Sequence, residues 1–254
     1  FQLTENLFIG STVIRLDQVD SSNNYARTLV RDKMPIEGTV IVADEQTDGR
    51  GQRANSWLTE PKKNLTCSYI LKPVFLAAMD QFMLSTAVAL AVAEIVSELL
   101  PDDDVKIKWP NDILVGGKKI AGILIENTLR GSNLDYSIIG IGLNVNQLEF
   151  PSALNASSIL LQGKQPCELG DVLQLLNGRL QKYYLKLREG RFELMLKQLN
   201  ANLFGTGTSR EFTINGTAES AVIRGVKHSG ELELERADGT HTLHHHHEID
   251  WMLT

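Results

Sequence analysis

The chain has 254 residues, of which 43% are hydrophobic and 22% are charged, and a net charge of −6. This size suits a main domain plus a small one, and the acidic balance excludes a polycationic binder of nucleic acid or anionic membranes. The two cysteines, Cys67 and Cys167, lie far apart and form no CxxC pair, so the sequence predicts neither a zinc nor a redox motif.

The hydrophobic pattern predicts a mixture of strands and helices over the first two thirds of the chain. The capping segment 20–23 precedes a short amphipathic helix, and the non-periodic stretch 46–56 is predicted to be a loop. The predicted strands are 38–43, 65–71, 105–109, 120–126 and 136–145, with a glycine-turn hairpin at 112–120. Further helices are predicted at 79–100, which is apolar on nearly all sides, at 168–187 and at 192–203.

The composition changes after Phe204. A turn-rich hinge at 205–209 is followed by short strands and by the turns Asn215-Gly216 and Asp238-Gly239. Such a segment fits a small β-barrel. The sequence therefore predicts an α+β fold, with a mixed sheet packed with helices in a domain of residues 1–203 and a small β domain in residues 204–254.

The most apolar stretch, 77–100, carries Asp80, Glu94 and Glu98, which a membrane span would tolerate poorly. A charged start followed by an apolar run is not visible at the N-terminus. The sequence therefore predicts a cytoplasmic chain with no membrane partner.

Glycine and arginine are concentrated in the loop that ends at Trp57. Gly49 and Gly51 let the backbone approach a ligand closely, and Arg50 and Arg53 present forked donors for phosphate or carboxylate. The alternative is a solvated surface loop, and composition alone does not decide between the two. The spacing excludes both the Walker loop and the dinucleotide-binding fingerprint.

The segment Lys108-Trp109-Pro110-Asn111-Asp112 ends a predicted strand. Two opposite charges, an amide and an aromatic ring lie within five residues and must be paired or bound to a ligand if they are buried. A ligand site and an internal lysine–aspartate pair both satisfy this demand, and the pattern taken alone favours the internal pair.

Two further segments could contact an anionic ligand. Lys119 opens a strand and can direct its ammonium into a site at the strand's mouth, although an exposed hairpin lysine is the commoner case. Gly140 and Gly142 leave room for a flat ligand on a central strand, or serve only packing. Asn144 follows and could contact a nucleotide or a hydrated magnesium ion.

Taken together and in this order, the segments resemble the biotin protein ligase family. The resemblance covers about residues 15–161. It rests on Asp20-Ser21-Ser22-Asn23, on Gln46 with the Gly-Arg-Gly loop ending in Trp57, on Lys108 to Asp112, on the string KIAGILIE from Lys119, and on GIGLNVN from Gly140. Each motif is weak alone, but five in order are hard to produce by chance. The resemblance also implies that the C-terminal β domain is a barrel of the SH3-like kind.

The resemblance assigns roles to the matching positions. It implies a biotin site formed by Ser21, Ser22, Asn23, Gln46, Arg50, Gly51, Gln52, Lys119, Gly122, Ile123 and Leu124. It implies an ATP and adenylate site formed by Gly49, Arg50, Arg53, Trp57, Lys108, Asn111, Asp112, Gly140, Gly142 and Asn144. The implied catalytic residues are Lys119, Arg50 and Arg53, and Asn144 is also the implied magnesium contact.

The implied activity is an ATP-dependent ligation. Biotin is activated to biotinyl-5′-AMP, with Mg²⁺ assisting, and is then transferred to a specific lysine of a biotin carboxyl carrier protein of acetyl-CoA carboxylase or a related carboxylase. Pyrophosphate and AMP are released. Two alternatives are a lipoate or octanoate ligase or transferase, which shares the fold class, and a non-catalytic biotin-binding sensor.

The chain departs from the family pattern in the loop. Gln52 stands where some bacterial members have a second arginine, and Ala54 and Asn55 replace a glycine and an arginine, so the loop carries less positive charge. No segment before Leu3 could hold a DNA-reading helix. We therefore expect the form without the N-terminal DNA-binding domain and no DNA partner.

Two expectations concern the surface of the molecule. A strand edge of the α/β domain could pair two subunits into a homodimer. The run His244–His247 is expected to lie on an edge strand of the C-terminal barrel without a metal role, because adjacent residues of a strand alternate between faces.

Overall fold

A computed structural model describes residues 8–52, 55–163 and 165–252 of the chain. In these residues, two sheets are packed with helices. The strands of the first sheet are β1 (Val13–Val19), β2 (Thr39–Gln46), β3 (Leu65–Leu71), β4 (Val105–Lys108), β5 (Asp112–Val115), β6 (Lys118–Arg130) and β7 (Asn133–Leu143). The helices are α1 (Ser22–Lys33), α2 (Gln81–Leu99), α3 (Ile159–Gly163), α4 (Leu169–Arg188) and α5 (Phe192–Ala201). The second sheet contains β8 (Ser209–Ile214), β9 (Thr217–Val226), β10 (Leu232–Arg236), β11 (His241–His244) and β12 (Ile249–Trp251).

The first sheet has the order β1-β2-β3-β7-β6-β5-β4, with β1 parallel to β2 and the other neighbours antiparallel. Strands β3, β7 and β6 lie side by side at its centre. Because side chains alternate between the faces of a sheet, residues two apart on these strands share a face. The two rows on one such face are Ser68–Gly140–Leu124 and Thr66–Gly142–Gly122.

Helix α2 forms the centre of the apolar core. Its residues are apolar on nearly all sides, and it packs with Cys67, Tyr69, Ile139 and Ile141 from the other face of the sheet. By length and composition alone, residues 78–99 could cross a membrane, but 67% of this apolar window is buried inside the protein. The segment therefore has the environment of a core helix.

The second sheet shares the core of the first. Phe212 of β8 and Leu199 of α5 belong to one continuous apolar cluster, and the indole N–H of Trp109 donates to the carbonyl oxygen of Gly230 at 2.9 Å. The second sheet is therefore fastened next to the segment Lys108–Asp112. The domain boundary at Phe204 falls between α5 and β8 and remains a prediction.

The predicted α+β class, with a mixed sheet packed with helices, is confirmed. β3 has the predicted bounds, and α1, α2, α4 and α5 lie where periodicity placed them. β1 and the short α3 were not predicted.

Three expectations are corrected by the structure. The C-terminal strands β8–β12 form an antiparallel sheet rather than a closed barrel, because β11 and β12, the two outer strands described, do not pair with each other. Only His244 of the histidine run lies on a strand, since the chain turns at 245–248 to enter β12. Ser21 occupies the N-cap of α1 but makes no side-chain capping hydrogen bond.

Candidate active site

The central glycine-bearing rows of β3, β7 and β6 form the floor of a cavity of about 310 Å³. Its walls come from the start of α1, the loop ending at Trp57, the segment Lys108–Asp112 and the strand β12. This size lies at the lower end of the usual range for small-molecule sites. Elements distant in sequence therefore meet in one concave site.

A network of buried polar groups forms the end of the cavity next to α1. The Ser68 hydroxyl contacts Ser22 Oγ at 2.8 Å and Asn23 Oδ1 at 2.6 Å. Asn23 Nδ2 donates to Glu126 Oε2 at 2.9 Å, and the Ser22 backbone N–H donates to Gln46 Oε1 at 2.7 Å. Because each side chain is held by another, this end presents hydroxyl and amide groups in fixed orientations.

Gly140 makes room for this network. A Cβ at position 140 would lie 2.5 Å from Asn23 Oδ1, well inside van der Waals contact. The strand glycine is therefore needed for the close approach of Asn23 to the sheet. The backbone conformation at residue 140 does not itself require a glycine, since its φ is not positive.

The indole of Trp57 lies over the other glycine row. A Cβ at Gly142 would lie 2.2 Å from Trp57 Cε2, and a Cβ at Gly122 would lie 3.2 Å from Trp57 Cζ3. The space above Gly122 and Gly142, where a flat ligand was expected, is thus occupied by the indole of Trp57. Trp57 Nε1 is buried and has no hydrogen-bond partner among the described residues, so its donor is available to a ligand that reaches the floor.

Two lysines flank one carboxylate at the opposite end of the cavity. Lys119 Nζ lies 2.7 Å from Asp112 Oδ1, an ion pair that compensates an otherwise buried carboxylate oxygen. Lys108 has no carboxylate within ion-pair distance among the described residues. Burial lowers the pKa of Lys108, the nearby Lys119 lowers it further, and Asp112 opposes both effects. This end of the cavity is suited to a ligand with negative charge.

Arg50 connects the loop to α1 and β6. Its Nη1 donates to Asn24 Oδ1 at 3.1 Å and to Glu126 Oε1 at 3.3 Å. Glu126 also binds Arg27 and the amide of Asn23. The arginine is thus held by a carboxylate that a phosphate could replace, because both present oxygen acceptors to a guanidinium.

The cavity contains every described residue assigned to biotin. All eleven lie in its wall: Ser21, Ser22, Asn23, Gln46, Arg50, Gly51, Gln52, Lys119, Gly122, Ile123 and Leu124. Seven of the residues assigned to ATP or the adenylate also lie there: Arg50, Trp57, Lys108, Asn111, Asp112, Gly140 and Gly142. Arg53, with its neighbour Ala54, lies outside the described residues.

Gly49 and Asn144 are not brought to the wall of this cavity. Gly49 lines a neighbouring cavity on the other side of Trp57. The Asn144 amide donates to the Ser157 carbonyl oxygen at 3.0 Å, and Asn144 is buried beneath the segment that leads to α3. Neither residue lines the cavity, although Asn144 Oδ1 is buried with no hydrogen-bond partner among the described residues.

The wall also contains residues that sequence patterns did not indicate. Some had no role assigned although they lie inside or beside the recognised motifs, which are Asn55, Ser56, Thr66, Cys67, Trp109, Pro110 and Ile141. Others come from β12 and the turn before it, which are Ile249, Asp250 and Trp251 on the strand and His246 in the turn. Proximity to the motifs could have suggested the first group, but the second depends on docking of the second sheet.

The described residues of the wall form neither a preformed magnesium site nor an activated nucleophile. No group of three or more histidine, cysteine, aspartate or glutamate residues that could hold a metal is present in the described parts of the chain. Asp112, a carboxylate of the wall, is paired with Lys119, so the wall does not provide a preformed magnesium cage. Burial raises the pKa of the Cys67 thiol to about 12, which keeps it protonated at neutral pH and unsuited to nucleophilic attack.

The chain is similar to known proteins over most of its length. The model of the biotin/lipoate A/B protein ligase family matches residues 16–144. The bifunctional ligase/repressor BirA of Bacillus spizizenii is 33% identical over 237 residues, which cover 91% of this chain and 71% of the relative. The biotin--[acetyl-CoA-carboxylase] ligase of Mycobacterium tuberculosis is 34% identical over 127 residues, covering 49% of this chain and 46% of the relative.

A solved structure agrees with these matches. The biotin protein ligase from Aquifex aeolicus, in complex with biotin and ATP, superposes with a TM-score of 0.80 at 25% identity, covering 94% of this chain and 98% of that one. The family resemblance drawn from the five motifs is confirmed. The match over residues 16–144 agrees with the order of the motifs and with the mixed sheet and its glycine-floored cavity. The chain therefore belongs to the biotin/lipoate A/B protein ligase family.

Proposed function

We propose that the chain is a biotin–protein ligase that activates biotin with ATP and transfers it to a lysine of a carrier protein. One observation carries the proposal: a single cavity collects all eleven residues assigned to biotin, Lys119 among them, together with the second lysine, Lys108. The names of the relatives, which include biotin--[acetyl-CoA-carboxylase] ligases, support biotin over lipoate as the substrate.

The polar end of the cavity suits the ring of biotin. The ureido group offers two N–H donors and one carbonyl acceptor, and the network around Ser22, Asn23 and Gln46 offers both hydroxyl and amide partners in fixed positions. Trp57 supplies an apolar surface for the remainder of the ring system. Fixed donors and acceptors select a polar ring against a purely aliphatic acyl chain.

The charged end of the cavity suits the activation step. A carboxylate oxygen of biotin attacks the α-phosphorus of ATP, and the bond to the leaving pyrophosphate breaks. The two reactants repel each other because both are anionic. Lys119, Lys108 and the loop arginine Arg50 offset this repulsion as Arg50 exchanges Glu126 for the substrate. Arg53 is assigned to the same task by resemblance alone.

The transfer step needs no enzyme nucleophile. The amine of the carrier lysine attacks the acyl carbon of biotinyl-5′-AMP, the bond to the phosphate oxygen breaks, and AMP leaves. The attacking amine gives up a proton as the amide forms. The enzyme contributes by holding the mixed anhydride in position and away from water.

Magnesium belongs to the proposal as part of the substrate MgATP. Mg²⁺ keeps several of its waters and is commonly bound through the phosphates of the nucleotide rather than by an all-protein cage. The bound ion supplies positive charge at the phosphates when MgATP is present. Asn144 stays an untested magnesium contact: it lies outside the cavity wall, and its Oδ1 is buried with no hydrogen-bond partner among the described residues.

The remaining parts of the proposal concern partners and location. The acceptor is a biotin carboxyl carrier domain of acetyl-CoA carboxylase or a related carboxylase, in line with the names of the relatives. We further assign the chain to the cytoplasm, without a DNA partner, and propose a homodimer through a free sheet edge such as β1.

The proposal is tested by incubating the purified protein with biotin, MgATP and a carrier domain, followed by mass spectrometry of the carrier. We expect one biotinyl group on the acceptor lysine, and none on a carrier in which this lysine is replaced by arginine. A parallel incubation with lipoate is expected to give no lipoylated carrier. Lipoylation in place of biotinylation would support the lipoate ligase alternative, and ligand binding without any modification would support the sensor.

A further inference from the structure

Trp251 is fixed at the end of the second sheet by other aromatic rings. It pairs with Phe212 between β12 and β8, and the two rings meet edge to face with centroids 5.2 Å apart. The ring of Phe204 lies 6.0 Å away on a tilted plane. Trp251 Nε1 is buried without a hydrogen-bond partner among the described residues. The position of Trp251 is therefore set by ring packing and not by its N–H group.

The face of this ring meets Lys108. Lys108 Nζ lies 5.4 Å from the centroid of Trp251, within the range of a cation–π contact, and both side chains line the cavity. Asp112, the nearest carboxylate on the first sheet, is already paired with Lys119. The indole face is thus the partner that the described structure gives to the Lys108 ammonium.

The charged surroundings of Lys108 are shared among three elements. Asp112 on β5 attracts its ammonium, and Lys119 on β6 repels it. Asp250, next to Trp251 on β12, and His246, in the turn that precedes β12, line the same cavity. Fixing a long lysine side chain in one rotamer costs conformational entropy. A lysine between attracting and repelling charges therefore needs a fixed contact to hold its ammonium in one position.

We propose that Trp251 is a positioning residue for the activation step, whose ring face holds the Lys108 ammonium towards the reacting anions. The second sheet then contributes to the chemistry of the first domain through one side chain. This inference rests on the proposed function, since it needs anions at Lys108 for the contact to matter. It predicts that ring character, and not bulk alone, is required at position 251.

The test compares Trp251→Leu, which keeps apolar bulk, with Trp251→Phe, which keeps a ring. Phe192→Leu is the matched control, because this ring at the start of α5 also packs on the C-terminal segment, against His228 at 5.5 Å, whereas the cation–π contact of Lys108 is with Trp251. Biotin-dependent pyrophosphate exchange gives kcat and KM for each protein. We expect Trp251→Leu to lower kcat about tenfold, the equivalent of about 1.4 kcal/mol, with the KM for biotin changed less than twofold. The Phe variant should recover most of the kcat that is lost in Trp251→Leu, and the control should stay within twofold of wild type.

A second readout does not depend on activity. Lysines are reductively methylated with ¹³C, Lys108 is assigned with a Lys108→Arg variant, and its pKa is followed by NMR. In Trp251→Leu the apolar bulk remains but the ring face that stabilises the charged ammonium is lost, so we expect the pKa of Lys108 to fall further, whereas in Trp251→Phe it keeps its wild-type value.

Two results would overturn the inference while leaving the proposed function intact. One is an active wild type in which Trp251→Leu keeps both its kcat and the wild-type titration of Lys108. The other is an equal loss of kcat in Trp251→Leu and Phe192→Leu, which would show a structural role only. A wild-type protein without pyrophosphate exchange would instead contradict the proposed function, and with it the catalytic part of the inference.

Discussion

Replacing Gly140 with alanine tests whether the polar end of the cavity is as tightly built as the structure shows. The added methyl would lie 2.5 Å from Asn23 Oδ1 and 3.1 Å from Asn23 Cγ. Ordinary contacts between heavy atoms are about 3.5–4 Å, so the amide must retreat by about 1 Å. Asn23 is 3% exposed and is held by Ser68 and Glu126, so it cannot retreat without breaking hydrogen bonds.

The expected cost follows from these contacts. Overpacking of a well-packed interior costs about 1–3 kcal/mol, and leaving a buried polar group unsatisfied costs about 1–3 kcal/mol more. We therefore expect Gly140→Ala to lower the free energy of unfolding by about 2–6 kcal/mol in urea titrations. Biotin affinity, measured by isothermal titration, should fall by about tenfold or more, because about 1.4 kcal/mol of lost binding already gives that factor.

The matched control is Gly178→Ala on α4. A Cβ at position 178 meets nothing within 4 Å, and the φ of this glycine is not positive. The same methyl should therefore stabilise the protein by about 0.5–1 kcal/mol through helix propensity, with unchanged biotin binding. If Gly140→Ala matched Gly178→Ala in stability and in affinity, the tight packing of Asn23 against β7 would be refuted.

Three further predictions concern the charged end and the loop. Lys119→Ala should nearly abolish formation of biotinyl-5′-AMP in a pyrophosphate-exchange assay while leaving the circular dichroism spectrum unchanged; a near wild-type rate would show that Lys119 is not catalytic. Binding of the anionic adenylate should weaken as pH rises through the lowered pKa of Lys108, because the deprotonated amine no longer attracts the phosphate. The Lys108→Arg variant should lose this pH dependence, since arginine stays protonated. An identical pH profile in both proteins would exclude Lys108 as the titrating group. Biotin with MgATP should slow tryptic cleavage after Arg50, because its guanidinium exchanges Glu126 for the phosphate; equal cleavage with and without ligands would contradict a loop that closes over the adenylate.

Much of the site could be predicted because its residues lie in contiguous motifs. Ser21, Ser22 and Asn23 form one turn, and Lys108 to Asp112 form another. Local segments of this kind keep their own geometry, and antiparallel pairing of β6 with β7 then brings Gly122 opposite Gly142. Residues recognised as separate motifs therefore meet in one cavity.

The remainder depends on contacts between distant segments. Nothing in the sequence pattern shows that the ring of Trp57 covers Gly142, or that Asn23 needs Gly140, since each contact joins residues far apart in the chain. The contribution of Trp251 follows from docking of the second sheet through Trp109 and Gly230. Asn144 was expected at the site from its motif, but its amide N–H donates to the carbonyl oxygen of Ser157 and the residue does not line the cavity.

The activation step is tested most directly with the purified protein, biotin and MgATP in the absence of any carrier. After a single turnover, mass spectrometry of the material bound to the protein is expected to show biotinyl-5′-AMP at about one molecule per active site, with an equal amount of pyrophosphate released. Omission of biotin should prevent pyrophosphate release. Unchanged ATP and biotin, with no acyl nucleotide formed, would contradict the account at its centre.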